Sequence, residues 1–201
     1  MQNVQPCSRR PPMTVFRWLA AWFLALSVTA VTQARAADPA IHVRSADVYA
    51  TAEGYALDAA FQVELGETLE EALHRGLTLH FVTEFQLLYE RWYLFGLWNK
   101  TISSFDLRYR LAFNALTRQY RVTTGALTQN VETLQEAIAL MARIRNRQVA
   151  SRDELEPGTV YLAQLRLRLD SSQLPKPFQL SSIGSKSWNV SSDWYRWTVR
   201  P

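Results

Sequence analysis

The sequence predicts a mainly β fold: an antiparallel β-sandwich, Ig-like or related, carrying two short helical insertions. Three observations point to it. Apolar and polar residues alternate along several segments, most cleanly over 55–65 and 159–170, which is the period of strands with one buried face. No repeating strand–helix–strand rhythm, the signature of parallel sheets, runs through the chain. The single cysteine, Cys7, lies near the start, so the rest must be held by an apolar core rather than by disulfides.

Segments 41–51 and 55–65 read as two strands joined by Ala52-Glu53-Gly54. In the second, Tyr55, Leu57, Ala59, Phe61, Val63 and Leu65 fall on one face. Segment 66–76 reads as a short helix: Thr68 is followed three residues later by Glu71, a capping-box spacing, and Gly76 closes it. Segment 77–92 returns to alternation, with Leu77, Leu79, Phe81, Thr83, Phe85 and Leu87 on one side. Segments 101–114 and 118–124 are rich in β-branched and aromatic residues and read as further strands. Asn130 is the expected cap of a second helix over 131–146, whose apolar stripe is Leu134, Ala137, Ile138, Met141 and Ile144. On that reading Arg143, Arg145 and Arg147 sit at a helix end, where cations complement the macrodipole. Segment 159–170 alternates again, and the tail closes with an aromatic strand over 194–199. The count is six to eight strands in one domain, residues 37–201.

The formal net charge of +4 first suggests a partner with phosphate backbones, but its distribution excludes that. All of the excess comes from Arg9, Arg10, Arg17 and Arg35, because residues 1–36 contain no Asp or Glu; the remaining 18 basic residues face 18 acidic ones. A neutral body has no general electrostatic claim on nucleic acid. Residues 1–36 read as a secretory signal: arginines at the start, an apolar stretch from Trp18 to Val31, and Ala34-Arg35-Ala36 as a cleavage site. The stretch is 14 residues long, short of the roughly 20 a spanning helix needs. The chain is therefore expected in the periplasm, touching membrane only through the signal if that segment is retained.

Two features stand out as candidate binding surfaces. In "ERWYLFGLWNKT", Trp92, Tyr93, Phe95 and Trp98 crowd around Gly96. Such rings either close one end of the core or dock a partner. Arg108 and Arg110 alternate with leucines and tyrosine, as Arg166 and Arg168 do, so each pair stands on one outward sheet face. If their strands are neighbours, the four make a basic patch for a carboxylate or phosphate. The alternative is a solvated outer face balanced by Glu84, Asp106 and Asp170. The candidate binding residues are thus Trp92, Tyr93, Phe95, Trp98, Arg108 and Arg110. His42, His74 and His80 are dispersed, no nucleophile or phosphate-loop spacing occurs, and no catalytic residue, metal or cofactor is assigned. The function this suggests is a non-enzymatic module that binds an envelope partner. The alternative is a sandwich holding a lipid or amphipathic small molecule between its sheets.

Across residues 40–200 the chain resembles the DUF4390 family of short exported bacterial proteins. Trp92, Trp98, the "LRYRL…LTRQYRV" and "LRLD" segments and the closing Trp-rich strand carry the resemblance. It implies a bacterial envelope location and brings no activity, ligand or site residue with it.

Overall fold

The computed structural model describes residues 39–89, 100–176, 178–179 and 187–201. The expected signal segment and the aromatic run lie outside the described residues. Along the chain come β1 (Ala40–Ala50), β2 (Gly54–Glu64), α1 (Gly66–His74), β3 (Leu79–Tyr89), β4 (Lys100–Asn114), β5 (Gln119–Thr124), β6 (Leu127–Val131), α2 (Leu134–Met141), β7 (Arg143–Ser151), β8 (Tyr161–Leu169) and β9 (Tyr195–Val199).

These nine described strands form two antiparallel sheets, one in the order β1-β2-β7 and the other β6-β5-β4-β3-β8-β9. The fold is the expected mainly β, two-sheet arrangement with two helices. Its larger sheet is mostly a meander, since β3, β4, β5 and β6 are each paired with the next. In the space between the sheets β1 faces β8 and β9, β7 faces β4, and α2 covers β5 and β6. One apolar core joins both sheets and both helices. Strand alternation fills it: Leu57, Phe61 and Val63 from the smaller sheet meet Leu79, Phe81, Phe85, Leu87, Leu165 and Leu167 from the larger. Phe85 stacks on Phe105 with ring centroids 5.3 Å apart and tilts against Trp197 at 6.3 Å.

Three local expectations are corrected. The Thr68–Glu71 capping box does not form. Leu65, which is buried, takes the N-cap position without a side-chain bond, and the chain turns at Gly66 with φ 71°. Burying Leu65 fixes where β2 ends, so Thr68 falls inside the first turn. The helix closes as expected, with the Gly76 and Leu77 N–H groups donating back to the Leu73 and Ala72 carbonyls.

The second helix is shorter than 131–146. Asn130 lies in β6, where its side-chain oxygen accepts from Arg121 Nε across the strand pair (3.2 Å). Thr133 caps the helix instead, accepting from the Glu136 N–H at 3.2 Å. After Ala142 the chain is extended, so Arg143, Arg145 and Arg147 belong to β7 rather than to a helix end. Ile144 is buried with exposed arginines on both sides, the parity of a strand. Opposite Asp58 the ladder bulges. Leu57 pairs with Arg147 and Ala59 with Ile144, leaving Arg145 and Asn146 against one residue. Asp58 holds the bulge by accepting the Asn146 N–H at 2.7 Å.

Candidate functional site

β3 lies at the centre of the larger sheet, and its parity sorts two jobs. Phe81, Thr83, Phe85 and Leu87 point into the core, while His80, Val82, Glu84 and Gln86 line the outer face. Register then builds cross-strand rows on that face. Arg110 stands opposite His80, and Thr123 opposite Arg110. Val82 is flanked by Arg108 on β4 and Arg168 on β8. Glu84 is flanked by Asp106 and Arg166. Asp170, just past β8, donates its N–H to the His80 carbonyl at 2.7 Å.

The two arginine pairs expected to pool their charge are therefore separated by β3, and the acid on β3 divides them. Glu84 accepts from Arg166 Nε at 2.5 Å and from Arg168 Nε at 2.8 Å. Arg166 also lies over the Trp194 ring, 4.3 Å from its centroid. Arg168 reaches Asp170 at 3.8 Å. Burial pushes the Glu84 carboxyl up, but the hydrogen bonds and charges of Arg166 and Arg168 outweigh that and hold it below the ordinary carboxylate range. On the β8 side, then, the basic charge is already spent on a structural cluster.

Removing that acid has a measurable consequence. Glu84→Gln is expected to destabilise the protein by about 1.5–3 kcal/mol, the usual worth of hydrogen bonds to charged groups, read from the denaturant midpoint. Because the folded-state pKa is depressed, Glu84's contribution is present above the ordinary carboxylate range and fades as pH falls through its own lowered value. The variant should show a correspondingly smaller loss of stability on acidification. An unchanged midpoint and acid limb would show that the cluster carries no stabilising weight.

The β4 side is different. Among the described residues Arg108 and Arg110 have no hydrogen-bond or ion-pair partner. Their side chains border an open cleft of about 350 Å³, with His80, Val82, Thr123 and Asp170 among its lining residues. Val82 is buried and forms an aliphatic floor. His80 is half-buried, and burial first, then the charge of Arg110, hold its imidazole below its ordinary value against the opposing pull of Asp170. It is neutral at neutral pH and offers one N–H. The Asp170 carboxylate is engaged by the Ser172 hydroxyl (2.6 Å) and N–H (3.3 Å) as well as by Arg168. The cleft can thus receive hydrogen-bond acceptors and negative charge.

Of the expected binding residues, Arg108 and Arg110 come together in this cleft. Trp92, Tyr93, Phe95 and Trp98 lie outside the described residues. Tyr89 pairs with Lys100, which makes 90–99 the connection between β3 and β4. Arg108 is opposite Val82, seven residues before Tyr89, so roughly 23 Å of strand separates the arginines from the start of that connection. His80 and Thr123 were not expected at this site, and Asp170 was expected only as a carboxylate balancing the arginines. Their parity is visible in the sequence, but the strand order that gathers them is not.

The other histidines take different places. His74 Nε2 lies 2.9 Å from the Tyr120 hydroxyl and its ring meets Phe113 edge-on at 4.8 Å, bracing α1 against β4 and β5. His42 is in the smaller sheet, apart from His80. Among the described residues no three His, Cys, Asp or Glu side chains gather as a metal site.

No curated protein and no solved structure matches the chain. A family model, the domain of unknown function DUF4390, matches residues 38–198. That span takes in β1 to β8, all of β9 but Val199, and the cleft over His80, and the chain belongs to the DUF4390 family.

Proposed function

We propose that this protein is an exported, non-enzymatic binding module of the bacterial envelope that receives its partner on the outer face of the larger sheet, over β3 and β4. The observation that carries the reading is the contrast across β3: Arg166 and Arg168 are neutralised by Glu84, whereas Arg108 and Arg110 border an open cleft with no described partner. Uncompensated guanidiniums on a rigid sheet are a usual means of holding carboxylate or phosphate groups. The arginine-led, acid-free first 36 residues with their short apolar stretch support export.

The packing between the sheets favours this surface over a lipid held inside. Phe81, Phe85, Leu57, Leu65, Leu165 and Leu167 are each less than 2 % exposed and occupy that interior.

A photo-reactive side chain placed at Thr123, beside the cleft, should give a discrete cross-linked species in cells that export the protein. The same group at Asp58, on the outer face of the smaller sheet, should not. Adducts from position 58 alone, or from neither, would overturn the reading. A lipid mass retained in native mass spectrometry and unaffected by changes at Arg108 and Arg110 would favour the interior instead.

A further inference from the structure

Resting on that reading, we propose that the cleft over His80 is a site for a phosphate group. The donors surrounding it come from several directions. Arg108 and Arg110 occupy successive outward positions of β4, roughly 7 Å apart along the strand, within the span two guanidiniums can close on one group. His80 contributes an imidazole N–H from β3 on one side; on the other, Thr123 of β5 contributes a hydroxyl that lies 3.2 Å from the Thr128 hydroxyl and can accept from it while donating its own proton to a ligand. Gln173, from the turn after β8, adds an amide at the rim.

A carboxylate is planar and presents two oxygens. A phosphate presents three or four around a tetrahedron and carries up to two charges at neutral pH, so it uses more of these donors at once. The charges permit it. Asp170 faces the cleft and opposes an anion, but its carboxylate is engaged by Arg168 and Ser172, and two guanidiniums stand against it. One row farther along stand the exposed Asp106 on β4 and, opposite it on β3, Glu84, whose carboxylate is engaged by Arg166 and Arg168.

The smaller sheet offers an internal comparison. Its outer face also carries a cleft of about 350 Å³, lined by Asp47, Asp58, Arg143 and Arg145. There carboxylates and guanidiniums balance, so the same volume has no call for an anion. At about 350 Å³, the cleft over His80 lies at the low end of small-ligand sites, roughly 300–1,000 Å³. That size suits a phosphorylated small molecule or a lipid headgroup.

Titration calorimetry of the full chain tests this with inorganic phosphate, acetate, glycerol phosphate, and phosphatidylcholine vesicles with and without phosphatidic acid. Phosphate should bind at least about tenfold more tightly than acetate. Arg108→Gln/Arg110→Gln should lose about tenfold or more in phosphate affinity while keeping its circular dichroism and melting midpoint. Arg143→Gln/Arg145→Gln should bind like the parent. Glycerol phosphate binding without a phosphatidic acid effect assigns a soluble phosphorylated ligand. A phosphatidic acid effect lost in the Arg108/Arg110 variant assigns a lipid headgroup.

Equal affinity for acetate and phosphate would overturn the phosphate assignment while leaving an anion-binding face in place. Phosphate affinity unchanged in the Arg108/Arg110 variant, or no binding at roughly millimolar phosphate, would overturn the site itself. The cross-linking comparison judges the partner-binding surface independently of either result.

Discussion

Replacing Phe85 with alanine is expected to remove about 3–5 kcal/mol of stability, the range for deleting a buried aromatic ring. Phe85 is 1 % exposed at the centre of the larger sheet, stacked on Phe105 and tilted against Trp197, with Leu165 opposite it on β8. The loss combines the ring's transfer free energy with a cavity that strands on both sides cannot close. Domains of this kind have only about 5–15 kcal/mol in total, so the variant should be partly unfolded near physiological temperature. Phe85→Leu keeps most of the volume and should cost about 1.5 kcal/mol or less. Denaturant midpoints of the two variants decide the matter. An alanine variant losing under about 1 kcal/mol would mean that Phe85 is not on the core face.

Gly54→Ala is expected to cost about 3 kcal/mol, at the upper end of what overpacking and backbone strain impose. Gly54 opens β2 with φ 150°, directly against β7, and a Cβ added there would fall on the Ala150 carbonyl oxygen. Ala150 is itself buried backbone in the ladder and cannot move aside without breaking the β2–β7 register. The same glycine closes the β1–β2 turn, its carbonyl accepting the Thr51 N–H at 2.7 Å. The effect should appear as a lower midpoint with faster hydrogen exchange across β7. A variant as stable as the parent would show that β7 is not seated beside Gly54.

These positions also mark what the sequence makes legible. Along β2, β3 and β8 buried core positions alternate with mostly half-buried or exposed outer ones, so their period of two is plain, and Leu57, Phe81, Phe85 and Leu165 can be assigned to the core without knowing any neighbour. β6 has no such signal: Leu127, Thr128, Gln129 and Asn130 are all exposed at the sheet edge. β7 hides for another reason. Its arginines sit just after an amphipathic helix and mimic that helix's end, and the bulge at Asn146 breaks its alternation. Thr133 rather than Asn130 caps α2 because the Asn130 side chain is already engaged across β5 and β6.

The site divides in the same way. That Arg108 and Arg110 share an outward face follows from alternation alone. That Glu84 would claim Arg166 and Arg168, and leave the other pair unclaimed, depends on β3 lying between β4 and β8. His80 looked like one isolated histidine among three. Only the register with Arg110 and the turn at Asp170 places it in the cleft.

The account rests on β3 serving both purposes, with core residues on one side and the cleft floor on the other, so that the binding face stands on the most stable strand. Native-state hydrogen exchange tests this directly. The amides of Phe81 to Leu87 should exchange only through global unfolding, with an opening free energy equal to that from denaturant melting, while β6 exchanges through smaller openings. Amides of β3 that exchange as readily as those of β6 would contradict it.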